Sequence, residues 1–231
     1  MIYTLMNKNN PVIDFETQMG TILRITDTWN EEYLPIGTRT KTGIDVKILN
    51  HWWHGRSIPA SRTGIKEALE NMGIDSSKEL LEKSYGLSLS DQYWIRPDHS
   101  KIQWKDINFF THDFDSTGFL KASLDDSSHL YTVQNDSLKT PNNTTDGMLP
   151  KGWIIENNKR VLIKGTYTRF EQEPFNEWLA SQICKRLGFD YCNYIVDWHT
   201  IMQDKVIVSK CKNFINENEE IISAYAVSYT H

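Results

Sequence analysis

GWIIENNKRVLIKG, residues 152–165, reads as two short strands around a turn. GWIIE (152–156) and RVLIK (160–164) are apolar runs, and Asn157–Asn158 between them tolerate the left-handed backbone of a tight hairpin. Downstream, Pro174 suits the first turn of a helix and Gly188 its end. Within it Phe175, Trp178, Leu179 and Ile183 recur at helical spacing, which predicts an apolar stripe facing a core. NYIVDW (193–198) and KVIVSKC (205–211) read as a second strand pair. Strand, strand, helix, strand, strand predicts a small antiparallel sheet carrying one helix, 174–187.

Upstream, Ser123–Asn143 is rich in Ser, Asp, Asn and Thr, with Pro141 near its end, and reads as a boundary. Before it, two β-favouring runs (Val12, Ile13, Phe15; Ile22, Leu23, Ile25) flank Gly20 and predict a hairpin over 12–28. Asp45, Ser61 and Ser76 or Ser77 read as N-caps of three helices that end at Gly55, Gly73 and Gly86. Their apolar residues are Val46, Ile48, Leu49, Trp52 and Trp53 in the first, Ile65, Ala68, Leu69 and Met72 in the second, and Leu80, Leu81 and Tyr85 in the third. WKDINFF (104–110) fits a short helix or a strand entry. The expected class is α+β: an N-terminal α/β domain over 1–135, then the sheet-and-helix unit over 136–231.

Composition narrows the classes. The chain has 231 residues, 39% of them hydrophobic, with eight Trp, enough apolar bulk for a sizeable core. A net charge of −5 argues against a mainly electrostatic nucleic-acid binder. A local basic face from Arg56, Arg62 and Arg96 keeps a DNA partner open. The three cysteines, Cys184, Cys192 and Cys211, have no CxxC spacing, against a zinc knuckle or a disulfide framework. MIYTLMNKNN lacks a charged segment followed by an apolar one, and no apolar run approaches 18 residues. The expectation is a cytoplasmic protein with reduced thiols and no membrane partner. Asn135, Asn142 and Asn143, in N-x-S/T triplets, then read as ordinary loop residues.

The chain holds no G-x-x-x-x-G-K-[ST], G-x-G-x-x-G, G-x-S-x-G or H-E-x-x-H string. His51 and His54 in HWWH share a helix face, but no third ligand stands near in sequence, so packing is the simpler reading. THDFD (111–115) overlays an HxD-like and a DFG-like piece. Catalytic and metal-binding Asp residues of kinases lie on separate segments after the nucleotide lobe, so the match reads as accidental.

A nucleotide lobe needs a loop whose N–H groups reach phosphates, a strand Lys to neutralise them, and a helix carboxylate to hold that Lys. All three occur in order. TPNNTTDGMLPKGW (140–153) is a polar, turn-rich loop running into a strand. Lys164 ends VLIK before Gly165, and Glu177 lies in the first turn of the following helix. On a helical wheel Glu177 points away from the Phe175 stripe, on the side of Ala180 and Cys184. It is therefore outside the core, either a solvated residue or a partner of Lys164.

HWWHGRSIPASR (51–62), YGLSLSDQYWIRP (85–97), WKDINFF, TTDGMLPKGW, LIKG (162–165) and QEPFNEWLASQICKRLG (172–188) resemble the bacterial HipA-like serine/threonine kinase family over about residues 10–225. The resemblance implies ATP and Mg as cofactors. It implies that Lys164 contacts the nucleotide phosphates, that Glu177 orients Lys164, and that Thr144, Thr145, Asp146 and Gly147 form a flexible phosphate-covering loop. Thr144 and Thr145, at its tip, would be autophosphorylation candidates. CKNF (211–214) would enter the interlobe hinge, with the Lys212–Phe214 backbone bonding adenine and Phe214 packing nearby. The family's catalytic and metal-binding Asp residues belong to a helical lobe after the hinge. No D-R-H string occurs in this chain, and its loop has one glycine, Gly147, where the family has a cluster. The chain is thus expected to be the nucleotide-binding half of such a kinase, inactive alone, with an apolar tail (Ile221, Ser223, Tyr225, Tyr229) that meets the missing lobe. The alternative is a regulatory or binding module for a separate kinase C-lobe chain; an antitoxin-like protein or DNA is a further possible partner.

Overall fold

The computed structural model describes residues 1–62, 65–116, 138–147, 149–166, 170–201, 204–222, 224 and 227. Two four-stranded antiparallel sheets organise it, so the α+β class holds. The first contains β1 (Ile2–Asn7), β2 (Asn10–Gln18), β3 (Thr21–Thr28) and β6 (Tyr93–Pro97), in the order β3-β2-β1-β6. The hairpin predicted over 12–28 is the β2–β3 pair. Its turn glycine, Gly20, has φ +74°, and a Cβ there would lie 2.3 Å from the Lys78 carbonyl oxygen, so only glycine fits. A two-stranded ribbon, β4 (Arg39–Thr40) and β5 (Gly43–Ile44), leads into the helices.

Helices α1 (Val46–Gly55), α2 (Ile65–Asn71) and α3 (Ser77–Lys83) follow, then α4 (Trp104–Ile107) beyond β6. The Asp45 carboxylate accepts from the Lys47 and Ile48 amides, and the Ser76 hydroxyl from the Glu79 amide, as their cap positions predict. The Ser61 cap cannot be followed into α2, because residues 63–64 lie outside the described residues, as does the Ala68 side chain. Leu49 and Trp53 of α1 and Leu81 of α3 pack on Leu5, Val12, Ile13 and Phe15 of the sheet.

The second sheet contains β7 (Lys151–Glu156), β8 (Lys159–Lys164), β9 (Ile195–Ile201) and β10 (Asp204–Lys212), in the order β7-β8-β10-β9. Helix α5 (Glu173–Leu187) connects β8 to β9 and packs on β10 and β9. Asn157 and Asn158, at φ +52° and +58°, make the β7–β8 turn, and Gly188, at φ +72°, closes α5. Strand, strand, helix, strand, strand is therefore as expected. The predicted boundary segment lies largely outside the described residues. Its described end, Pro141–Thr144, is a 3₁₀ turn that lies against β7. Asn142 clips it there, with Oδ1 accepting from the Trp153 amide at 2.5 Å and Nδ2 donating to the Trp153 carbonyl at 3.2 Å.

The two sheets meet in one apolar cluster. Trp153 of β7 joins Met6, Leu87, Leu89, Trp94, Trp104 and Phe109. Asn213, just past β10, donates to the Leu89 carbonyl at 3.2 Å, and the Ile221 amide to that of Ser90 at 2.8 Å. Burial of so many large rings is worth about 2 kcal/mol per side chain and fixes the second sheet against the first.

The stripe on α5 corrects a sequence expectation. Phe175, Trp178, Leu179 and Ile183 are 49%, 43%, 50% and 49% exposed. The inward side carries Pro174, Glu177, Ser181 and Cys184, with Pro174 and Ser181 buried. Glu177, bonded to Lys164 and Ser209, faces the sheet, and the apolar face of the helix points away from it.

Candidate functional site

Antiparallel pairing sets which side chains share a face. Lys151 lies opposite Lys164, and Trp153 opposite Leu162, across β7 and β8. Ser209 lies opposite Lys164, and Cys211 opposite Leu162, across β8 and β10. Residues two apart share a face, so Lys151, Lys164 and Ser209 stand in one row beneath α5.

Lys164 Nζ lies 2.5 Å from Glu177 Oε1, with both side chains mostly buried. The same ammonium donates to Tyr194 Oη at 2.7 Å and sits 4.6 Å from the centre of that ring. Ser209 Oγ donates to Glu177 Oε2. Burial alone would lower the Lys164 pKa; the hydrogen bonds to Glu177 and Tyr194 outweigh it and hold the ammonium above its ordinary value. Tyr194 is pushed up by burial, against the opposing pull of Lys164. Lys164 is thus a fixed, charged donor. Glu177 is the fifth helical residue, one residue further in than the expected start at Pro174 would put it, at the opening of the second turn.

Above this row runs the 145–147 segment. Gly147 has φ +88°, and a Cβ there would fall 2.6 Å from Lys151 Nζ, so that ammonium lies directly under the Gly147 backbone. Arg62, from the N-terminal half, grips the segment from behind. Its Nη1 donates to Thr145 Oγ1 at 2.7 Å, and its Nη2 donates to the carbonyls of Thr145 at 2.5 Å and Gly147 at 2.6 Å. Burial brings its pKa down to about 10, with Asp146 opposing. Lys151 makes no salt bridge or hydrogen bond among the described residues. Burial first, then Lys164 and Arg62, bring its pKa down to about 8. Asp146 is exposed and accepts from the Gly147 amide at 2.6 Å.

Thr144 and Thr145 correct a second expectation. Neither is at a flexible tip. Thr144 Oγ1 donates to the Leu87 carbonyl at 2.7 Å, and Thr145 Oγ1 donates to the Asn142 carbonyl at 3.1 Å while accepting from Arg62. Both are buried, because the Asn142 clip and the Arg62 fork draw the segment onto the protein. Only Asp146 and Gly147 of the four reach the open side; Met148 lies outside the described residues.

Lys212 and Phe214 sit at the far end of β10. Lys212 lies three residues beyond Ser209, a rise of roughly 10 Å, and both residues are exposed, Phe214 by 60%. The Asn213 amide donates to the Arg160 carbonyl at 2.8 Å, so the segment continues along β8. β9 pairs with β10 only as far as Lys210, opposite Ile195, which leaves this edge of 211–214 unpaired by β9.

Other candidates fall away from this row. Arg56 and Arg62 do not form a basic surface: both are buried, Arg56 on Asp91 and on the carbonyls of Gly86 and Tyr93. The tryptophans between His51 and His54 are packing groups; Trp53 donates to the Gly20 carbonyl at 3.0 Å, and Trp52 packs edge-on to Tyr93. Asp113 lies 3.4 Å from Arg160, at the end of β8 remote from Lys164, and Phe114 packs on Phe109. Of the tail, Ile221 and Ile222 are partly exposed, while Ser223, Tyr225 and Tyr229 lie outside the described residues.

Sequence reasoning missed Tyr194, Ser209 and Lys151, and placed Arg62 on a basic face where the structure has it gripping the 145–147 segment. A serine between apolar residues in KVIVSKC and a lysine just after Pro150 were the available signals. Among the described residues no helix is long and apolar enough to cross a membrane. Comparison with protein-family models, curated proteins and solved structures gave no match.

Proposed function

We propose that the chain is the nucleotide-binding half of a HipA-like serine/threonine kinase. The observation that carries this reading is the Lys164–Glu177 pair, 2.5 Å apart between a strand end and the next helix. Kinases use a strand lysine on the nucleotide phosphates, held by a helix glutamate, and phosphoryl transfer depends on that pair. The residues fit ATP: Lys164 holds the phosphates, Asp146–Gly147 covers them, and the exposed Lys212–Phe214 backbone meets the adenine. ATP supplies the transferred phosphoryl group, with its charge neutralised by Mg. In this reading the catalytic and metal-binding carboxylates come from outside residues 1–231. Asp113 is no substitute, since four residues of β8 separate Arg160, its partner, from Lys164, roughly 13 Å.

Titration of the purified chain with ATP tests the proposal. Saturable binding is expected, weakened about tenfold or more in Lys164→Met, without phosphate incorporation by the chain alone. Absence of ATP binding sinks the nucleotide reading. Autophosphorylation of the chain alone, abolished by Lys164→Ala, overturns the assignment of catalysis to another lobe.

One observation favours the second reading, a regulatory or binding module for a separate kinase C-lobe chain. The outward stripe of α5 is apolar and exposed, as an interface is before its partner docks. A C-lobe chain that co-purifies with this one, and releases it when Trp178 is replaced by Glu, would support that reading.

A further inference from the structure

The two ends of the second sheet differ. At one, the Pro141–Thr144 turn lies against β7, held by the Asn142 clip. At the other, β9 pairs with β10 on its inner side and, among the described residues, with no strand on its outer side. β9 (Ile195–Ile201) runs in unbroken register with β10 and contains no proline, lysine or bulge. Such devices usually keep an edge strand from pairing with another chain. Trp198, at its middle, is 60% exposed.

Register fixes the two faces of β9. Trp198 lies opposite Ile207, two residues from Ser209, so it shares the α5 side with Val196 and Thr200. On the other face Asp197 accepts from Lys210 Nζ at 2.7 Å, and His199 follows it on that face. From the middle outward IVDWHTI is close to symmetric: acidic Asp197 and basic His199 flank Trp198, and β-branched Val196 and Thr200 flank those. An antiparallel pairing of two copies centred on Trp198 sets Asp197 of each opposite His199 of the other, Val196 opposite Thr200, and the two Trp198 rings opposite each other. Burial first, then Lys210, hold the His199 pKa below its ordinary value, so the neutral ring offers one N–H to the facing carboxylate. Centring the pairing on Asp197 would set two carboxylates face to face, and centring it on His199 would leave the carboxylates without donors.

We propose that β9 is a homodimerisation edge, through which two copies of this chain join their second sheets into one continuous antiparallel sheet about a two-fold axis at Trp198. The contact is isologous: the same strand serves both copies, and the assembly closes at two. Both α5 helices then lie on one face of the joined sheet, one on each side of the paired tryptophans. The pairing uses no residue of the Lys164–Glu177 row, so it is independent of the nucleotide reading. One strand pair buries little area, which makes the dimer a weak one.

The experiment is sedimentation equilibrium of the full chain carrying Trp178→Glu and Ile183→Glu, which removes association through the α5 stripe. A monomer–dimer equilibrium with a Kd of about 10 μM is expected. His199→Asp, which sets acid against acid, is expected to weaken the dimer about tenfold. Adding Asp197→His to it exchanges the two residues and is expected to restore the dimer, which separates an interface effect from misfolding. Cysteine cross-linking reads the register. Under mild oxidation Trp198→Cys is expected to give a disulfide-linked dimer, because position 198 faces itself across the axis. Thr200→Cys, roughly 13 Å from its counterpart along the strands, is expected to add no cross-link beyond that of the three native cysteines. A monomer at every concentration, a dimer indifferent to His199→Asp, or one that the exchange does not restore overturns the proposal. Equal cross-linking at positions 198 and 200 overturns it as well.

Discussion

Lys164 and Ser209, opposite each other on β8 and β10, donate to different oxygens of the same carboxylate, Glu177. One helix residue is thereby tied to two strands. Removing the carboxylate strands a mostly buried ammonium and a buried hydroxyl together. Glu177→Ala is expected to cost about 2 kcal/mol, and a double-mutant cycle with Lys164→Met to show coupling of about 1 kcal/mol or more. Denaturant unfolding measures both, and additive losses would show that the pair is not coupled.

Arg62, in the segment between α1 and α2, is the only described side chain of the N-terminal half whose hydrogen bonds reach both Thr145 and Gly147. Lysine lacks the planar fork that serves three acceptors at once. Arg62→Lys is therefore expected to free the 145–147 segment, with faster hydrogen exchange and proteolysis there, and to cost about 2 kcal/mol. Unchanged exchange in this segment would mean that the Asn142 clip alone positions it.

Lys151 gives a pH dependence of known sign. Its folded-state pKa is brought down to about 8 by burial, then by Lys164 and Arg62, with Asp146 and Glu177 opposing. Below about pH 8 both the folded and unfolded chains carry the charge, and the folded state bears the full penalty. Between about 8 and the ordinary lysine value of 10.5 the unfolded chain holds more protons, so stability rises with pH. Lys151→Gln is expected to be more stable than wild type at pH 7.5, with the gap narrowing by pH 9.5. Chemical denaturation at the two pH values reads this difference, and a constant gap would place the Lys151 pKa outside the window.

The outward face of α5 exposes Phe175, Trp178, Leu179 and Ile183. An apolar stripe of this kind favours association. The chain is expected to self-associate at high concentration, and Trp178→Glu with Ile183→Glu to shift it toward monomer without lowering the thermal midpoint. Sedimentation velocity decides, and a monomer at every concentration would show the stripe to be inert.

The local grammar of this chain was legible from the sequence. Asn157–Asn158, Pro174, Gly188 and the apolar runs around them specify strand, strand, helix, strand, strand because turn chemistry and periodicity act over a few residues. The spacing of Lys164 and Glu177 likewise raised their pairing as one of two readings. The tertiary structure decided which face of α5 turns inward, because the two strand donors that hold Glu177 there, Lys164 and Ser209, come together only through strand pairing. It also withdrew Thr144 and Thr145 from the surface, because Asn142 pairs with Trp153 and Arg62 reaches across from another part of the chain. Lys151 and Arg62 became visible only there, since their meaning depends on strand register and on a contact 85 residues apart in sequence, neither of which local pattern encodes.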